Sequence, residues 1–193
     1  MIKNLFAEPI YQAFDIISEE ENQELIDESY RLQKITPNGA AAWDCRIYTT
    51  FTNDSLTLNP VFDNLHWIFN IHMKKFVEKI KFLEPISCGN SWLNITGIGD
   101  YQEQHIHQSY WFSSIYYMRS PVGAAPTRLK SPYENQMGEM YDMESEYNKL
   151  YTVEPVERSL VIFGSHIPHY VPSGKNMEDR ITIASNWETS HAT

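Results

Sequence analysis

Three histidines are spaced as metal ligands could be. His105 and His107 lie in a segment that is predicted to be extended, and side chains two apart on a strand point to the same face. His169 comes just after the apolar segment 159–164, and an antiparallel barrel can bring such a late strand beside an earlier one. Three neutral imidazoles would suit Fe(II) or Zn(II), and three protein ligands with open positions are typical of a catalytic metal.

An arginine follows the last of these histidines. Arg180 opens the β-rich segment 180–187, in which Arg180 and Thr182 alternate onto one face. An arginine that faces into a barrel is costly unless it meets an anion. A guanidinium with a nearby hydroxyl would bind one end of a dicarboxylate. A second interpretation stays open, in which Arg180 pairs with a surface Glu or Asp at the barrel rim.

The remaining metal-binding residue types give no comparable pattern. Cys45 and Cys88 lack the paired spacing of a zinc ribbon and are too few for a disulfide framework. Four further histidines are interpreted as ordinary polar residues: His66, His72, His166 and His191.

Short β-rich runs alternate with turns in the second half of the chain, as in an antiparallel barrel, sandwich or jelly roll. These predicted strands are 89–97, 101–107, 111–119, 149–154, 159–164 and 180–187. Two earlier strands are expected at 5–14 and 43–51. The acidic stretch 131–148 is rich in Met and Tyr and lacks periodicity, so we expect a long loop or lid there.

Two helices are predicted ahead of most of these strands. Ser18 and Glu21 have the spacing of a capping box, and a partial apolar stripe follows, which predicts a helix at 19–34. Apolar residues at three- and four-residue steps predict a second helix at about 60–82, with Pro60 in its first turn. The expected fold class is therefore mainly β with flanking helices (α+β).

Length and composition limit the domain count and the partners. A chain of 193 residues predicts a single domain, 1–193, with a barrel core at about 86–188 and helical support within about 15–84. The net charge of -10 gives no reason to expect a nucleic-acid or membrane partner. Two cysteines, no evident signal peptide and no apolar run of membrane-spanning length favour a cytoplasmic protein. The oligomeric state stays open, with a homodimer among the alternatives.

The order of these motifs resembles that of the Fe(II)/2-oxoglutarate-dependent dioxygenases, and within them the prolyl 4-hydroxylase-like branch with its bacterial and phage members. The resemblance covers about residues 90–187: H-x-[D/H] on an extended strand, a strand with Tyr116-Tyr117, a distal histidine, and an arginine some ten residues later. It implies a double-stranded β-helix, which is a cupin-like jelly-roll barrel, with two N-terminal support helices.

The resemblance also implies roles for individual residues. His105 and His169 match the family's two histidine ligands, and Arg180 matches the basic residue that pairs with the far carboxylate of 2-oxoglutarate. Tyr117 and Thr182 match hydroxyl positions beside that co-substrate. Asn94 lies on a strand that could face it.

The third metal ligand departs from the family pattern. The usual motif is H-x-D or H-x-E, whereas His107 stands at the third position here. Glu103 is an alternative, because it shares the face of His105 by alternation. We favour His107, since it has the spacing of the motif; Glu103 stays open.

The implied activity is an Fe(II)-dependent dioxygenase reaction that consumes 2-oxoglutarate and O2, releases succinate and CO2, and hydroxylates an unactivated C–H bond. The substrate would be a small molecule, an amino acid or a peptidyl residue. Two other interpretations stay open: a three-histidine metal enzyme of another type (a zinc hydrolase or a cupin-like enzyme), and a non-catalytic jelly-roll binding protein.

Overall fold

The computed structural model describes residues 7–40, 43–53, 56–133 and 148–189. Its helices are α1 (Glu19–Ile35) and α2 (Asp63–Ile80). Its strands are β1 (Ile10–Ala13), β2 (Tyr48–Thr49), β3 (Ile86–Thr96), β4 (Gln102–His105), β5 (Phe112–Arg119), β6 (Thr127–Lys130), β7 (Leu150–Val153), β8 (Ser159–Gly164), β9 (His169–Val171) and β10 (Arg180–Thr189). None of the helices in these ranges is long and apolar enough to cross a membrane.

The strands form two antiparallel sheets. The larger sheet has the order β1-β8-β5-β10-β3-β2, and the smaller has the order β4-β9-β6-β7. Strands distant in the chain lie side by side, such as β4 with β9 and β3 with β10. The mainly β fold class and the jelly-roll barrel expected from the sequence are confirmed.

The central strand β10 divides the molecule into a core side and a cavity side. Ile181, Ile183 and Trp187 are buried in the apolar core that also contains α2 residues. The alternate residues, among them Arg180 and Thr182, line a cavity between the two sheets. Because successive side chains of β10 point to opposite faces, one set packs in the apolar core and the other set forms part of the polar interior of the barrel.

Helix α1 begins where the sequence predicts, whereas α2 begins at Asp63 and not at Pro60. Ser18 caps α1: the Glu21 amide donates to the Ser18 hydroxyl at 3.2 Å, and the Ser18 amide donates to the Glu21 carboxylate at 3.1 Å. Helix α2 follows a short 3-10 turn (Pro60–Phe62) and ends at Lys81, which has a left-handed backbone with φ 59°. Phe69, Met73 and Phe76 on its buried face pack on the large sheet.

The largest differences from the predicted strands have physical explanations. Only Tyr48–Thr49 of the predicted strand 43–51 pairs in a sheet, because the Asn38 side chain and Gly39 hold this segment in loops. Strands β6 and β9, of four and three residues, were not predicted, because segments so short carry little periodicity. The expected lid at 131–148 falls largely outside the described residues.

Acid should destabilise the fold partly through His66 on α2. Its ring packs edge-on against Phe69, neither buried ring nitrogen has a hydrogen-bond partner among the described residues, and burial lowers its pKa to about 4. Below pH 6.5 the His66 imidazole therefore binds a proton in the unfolded chain, whereas in the folded chain it stays neutral down to about pH 4. The free energy of unfolding consequently decreases as the pH falls from 6.5 to about 4. We expect His66→Phe to remove roughly 2 to 3 kcal/mol of this decrease.

The measurement is urea unfolding of the metal-free protein at pH 7 and pH 4.5. His166→Gln is the matched control, because His166 lies on the surface beside Glu8. Equal acid sensitivity in His66→Phe and the wild type would contradict the assignment.

Candidate metal centre and its cavity

Three histidines from two parts of the barrel converge at one point. One ring nitrogen each from His105, His107 and His169 lies within 4.8 Å of the other two. His105 ends β4 and is the register partner of His169, the first residue of β9. Their ring centroids are 4.2 Å apart, and that of His107 is 5.1 Å from each.

His107 is placed differently from the expectation. The sequence predicts it on the same strand as His105, but β4 ends at His105. Its amide donates to the Ser165 carbonyl at 3.0 Å, in the turn after β8. That contact holds the backbone beyond the strand and directs the third imidazole toward the other two.

Each imidazole has an oxygen at its Nδ1 atom. The Glu103 carbonyl lies 2.8 Å from Nδ1 of His105, and the Ile167 carbonyl lies 2.9 Å from Nδ1 of His169. Nδ1 of His107 makes a short hydrogen bond to Oδ1 of Asn186. An oxygen acceptor requires Nδ1–H, so the Nε2 lone pair of each ring is left free to bind a metal ion.

The surroundings of His107 and His169 favour neutral imidazoles, as metal binding requires. Burial, together with the neighbouring His105, lowers the pKa of His169 to about 3. Burial also lowers the pKa of His107, although its hydrogen bond to Asn186 acts in the opposite direction. The donor set thus fits a borderline divalent cation such as Fe(II).

Asn186 is a site residue that sequence reasoning missed. It faces the cavity on β10, and Ser113 donates to its Oδ1 atom at 3.3 Å. The same alternation that predicts inward side chains for Arg180 and Thr182 also selects position 186, which was the available signal.

We expect Asn186→Ala to weaken metal binding about 10- to 100-fold, because the His107 ring loses the acceptor that fixes its tautomer and orientation. Competition with a chromophoric chelator measures this affinity. Asn186→Asp retains an acceptor and should bind metal more tightly than the alanine variant. Asn70→Ala, on the exposed face of α2, is the control. An affinity unchanged in Asn186→Ala would contradict this role.

Arg180 is buried in the same cavity without a counter-ion. It is 3% exposed, and no salt bridge to it is found in the described parts of the chain. Its Nε atom has no hydrogen-bond partner within the described ranges, one terminal nitrogen lies 3.5 Å from the Thr127 hydroxyl, and burial lowers its pKa. The alternative in which Arg180 pairs with an acid at the rim is therefore wrong for the described residues.

Hydroxyl and amide groups surround this guanidinium. Thr182 is the register partner of Asn94 on β3 and of Tyr117 on β5, so the three form a row across the sheet. Tyr117 is fully buried, its ring lies 5.2 Å from the Arg180 guanidinium carbon, and its hydroxyl donates to Thr127 at 2.8 Å. The Oδ1 atom of Asn94 is buried and has no hydrogen-bond partner in the part of the chain that the structure describes.

One cavity of about 300 Å³ joins the two groups. The three histidines, Arg180, Thr182 and Asn94 all line it. Thr127 also lines it, a residue that sequence reasoning missed because β6 was not predicted. An anion bound to Arg180 would therefore share an enclosed space with a metal bound to the histidines.

The alternative ligand Glu103 is not part of the histidine cluster, although it lines the cavity. Its charge is one of the causes that raise the pKa of the nearby Cys45 thiol, after burial. Of the histidines interpreted as ordinary, His66 and His72 lie on α2 and His166 lies beside Glu8, away from the cluster. His191 falls outside the described residues.

Solved structures share this fold at low sequence identity. A prolyl 4-hydroxylase from Pseudomonas putida aligns over 94% of this chain and 93% of its own, with a TM-score of 0.70 and 11% identity. HygX from Streptomyces hygroscopicus, solved with nickel and 2-oxoglutarate, aligns over 96% and 84%, with a TM-score of 0.69 and 12% identity. The viral collagen prolyl hydroxylase of Paramecium bursaria Chlorella virus 1, a 2-oxoglutarate complex, aligns over 92% and 94%, with a TM-score of 0.61 and 11% identity.

The family of this chain is identified by comparison of its sequence with family profiles. The chain matches no curated protein. The sequence profile described as "Putative 2OG-Fe(II) oxygenase" matches residues 90–186, just over half of the chain, and this range includes all three clustered histidines and Arg180. The chain therefore belongs to the 2OG-Fe(II) oxygenase family, whose members are oxidoreductases that use Fe(II), 2-oxoglutarate and O2.

Proposed function

We propose that this oxygenase hydroxylates an unactivated C–H bond at the histidine cluster. The proposed Fe(II) ligands are His105, His107 and His169, and the proposed 2-oxoglutarate contacts are Arg180, Tyr117, Thr182, Thr127 and Asn94. The observation that carries the proposal is a three-imidazole donor set in one cavity with a buried arginine that has no counter-ion. When bound, Fe(II) with 2-oxoglutarate and O2 supplies the oxidising power, and succinate and CO2 are released.

Arg180 and its neighbours are suited to one carboxylate. The Thr127 oxygen already accepts from Tyr117 and lies near Arg180, so its hydroxyl hydrogen is free to donate to an anion. The guanidinium offers further donors at Nε and the terminal nitrogens. A carboxylate here would neutralise a buried charge, which gives a strong preference for an acidic co-substrate over a neutral one.

An apolar cluster reaches the cavity through Phe163, which lines it. Phe163, Val161 and Ile167 form an apolar cluster with Tyr117 between the two sheets. Phe163 packs edge-on against His169, with ring centroids 5.0 Å apart. A low local dielectric strengthens the contacts of Arg180 with an anion and protects reactive species from water.

The test is anaerobic titration of the metal-free protein with Fe(II) and then with 2-oxoglutarate. We expect a visible charge-transfer absorption band that appears only when both are present, followed by succinate formation when O2 is admitted. A protein that shows no band and retains zinc through purification would instead fit a zinc hydrolase, for which an inward cation has no evident use.

His107, and not Glu103, is the proposed third ligand. Glu103→Gln should retain about one equivalent of Fe(II), whereas His107→Ala should lose affinity by at least ~10-fold, since it removes one of three protein ligands. Metal content after gel filtration measures both. Loss of metal in Glu103→Gln with retention in His107→Ala would reverse the assignment.

Three wider features complete the proposal. Residues 1–193 are proposed to be one domain. The substrate is proposed to be a small molecule or a peptidyl residue. A cytoplasmic location is proposed, because Cys45 and Cys88 are both free thiols, as a reducing compartment would keep them.

A further inference from the structure

Three aromatic side chains form a wall from the histidine cluster to the surface. The Trp92 ring centroid lies 5.8 Å from that of His107. Phe51 meets Trp92 edge-on at 5.0 Å, and Trp43 lies 5.3 Å from Phe51. All three aromatic residues line the cavity, and exposure increases from 5% at Trp92 to 40% at Phe51. We call this wall the aromatic mouth.

A carboxylate lines the same cavity. Glu103 lies on β4, and its Oε2 atom is buried with no hydrogen-bond partner in the described parts of the chain. Burial raises the pKa of the nearby Cys45 thiol to about 12, so this thiol remains neutral. The Glu103 carboxylate forms no salt bridge among the described residues.

These features favour a cation at the mouth. A buried carboxylate oxygen without a donor is costly, and an ammonium N–H would remove that cost. The faces of aromatic rings attract cations, most strongly those of tryptophan. Both groups would repel or fail to stabilise a carboxylate, and a neutral alkyl group would leave Glu103 unpaired.

The lining of the cavity therefore carries charges of both signs. Among its described lining residues, Glu103 is the carboxylate and Arg180 is the guanidinium. Arg180 is deeply buried, whereas the aromatic mouth reaches the surface. An acidic co-substrate and a cationic substrate can thus bind in one cavity without competing for the same charge.

We propose that the oxygenase acts on a substrate carrying an ammonium group, which binds at the aromatic mouth with its charge on Glu103. The inference rests on the proposed function, because the histidine cluster at the inner end of the wall is where that substrate would react. Glu103 is then a specificity-determining residue and not a metal ligand.

The test uses three ligands with one carbon skeleton and different head groups: 3,3-dimethylbutylamine, 3,3-dimethyl-1-butanol and 3,3-dimethylbutanoate. The amine is protonated at pH 7.5, where binding is measured by calorimetry and by tryptophan fluorescence. The full chain is used without metal, because an unprotonated amine would also ligate Fe(II). We expect the ammonium to bind at least ~10-fold more tightly than the alcohol, and the carboxylate to bind most weakly.

Two variants test whether the ammonium preference arises at the aromatic mouth and Glu103. Glu103→Gln keeps the size of the side chain but removes its charge, and should reduce the ammonium preference to about 2-fold or less. Phe51→Leu, at a position that is 40% exposed, should weaken ammonium binding by at least ~3-fold. Glu24→Gln on the exposed face of α1 is the control and should retain the full preference. Equal binding of amine and alcohol, tighter binding of the carboxylate, or a full preference in Glu103→Gln would overturn the proposal.

The same proteins separate this inference from the proposed function. An Fe(II)–2-oxoglutarate absorption band without an ammonium preference overturns the inference alone. An ammonium preference without the band overturns the proposed function and supports the chemistry assigned to the mouth. Lysine and a lysine-containing pentapeptide, each compared with its norleucine counterpart, distinguish a free from a peptidyl ammonium. Tighter binding of the lysine compound in either pair supports the proposal. Equal binding within both pairs overturns the proposal.

Discussion

Replacing Arg180 by methionine is expected to raise the KM for 2-oxoglutarate by at least ~100-fold, with Fe(II) binding retained. Methionine fills similar space but cannot pair with a carboxylate, and truncating one partner of a buried charge pair costs on the order of 2–5 kcal/mol. The reason lies in the environment of the guanidinium, which is 3% exposed and has an unpartnered Nε atom. Succinate formation at varied 2-oxoglutarate concentration measures the change.

The stability of the Arg180→Met protein provides an independent readout. Without co-substrate, the wild type contains an unpaired buried cation, so the variant should unfold at the same or a higher temperature. Added 2-oxoglutarate should then stabilise the wild type and not the variant. Arg46→Met, at an exposed position, is the control. An unchanged KM in Arg180→Met would show that the co-substrate carboxylate binds elsewhere.

Replacing His169 by alanine is expected to abolish stoichiometric Fe(II) binding and to reduce turnover by at least ~1000-fold. His169 is the most deeply buried of the three clustered histidines, and removing it leaves two ligands at a site with no clustered carboxylate to replace it in the described residues. Metal content and single-turnover succinate formation measure the two effects.

His166→Ala is the matched control for His169→Ala. It lies in the same turn region but points toward Glu8 at the surface, and it should retain metal and turnover. Equal loss of metal in both variants would indicate a folding defect of this segment. Full activity in His169→Ala would remove the histidine cluster from the mechanism.

Part of the site could be predicted because β-strands alternate. The period of two in β10 predicts that Arg180 and Thr182 share a face, and both line the cavity. The capping box of α1 and the apolar spacing of α2 are local patterns of the same kind, and both helices are present. Features set by the residue period of a single helix or strand are thus accessible to sequence analysis.

Other parts of the site depend on contacts between distant segments. His107 lies beyond its strand, and its orientation comes from Ser165 and from Asn186, which is 79 residues away. Thr127 reaches Tyr117 from the four-residue strand β6. Neither contact has a local signature, because each requires the two sheets to be packed together before the residues meet.

The division of β10 into a core side and a cavity side makes the length of this strand as important as its composition. Deleting one residue between Arg180 and Asn186 would exchange the two sides: the guanidinium would turn toward Phe69 and Met73 of the core, and isoleucine would turn toward the histidines. Point substitutions in this strand can affect the fold or the chemistry separately, whereas a one-residue shift of its register damages both at once. Insertions and deletions should therefore be excluded from this strand during divergence, even where individual side chains vary.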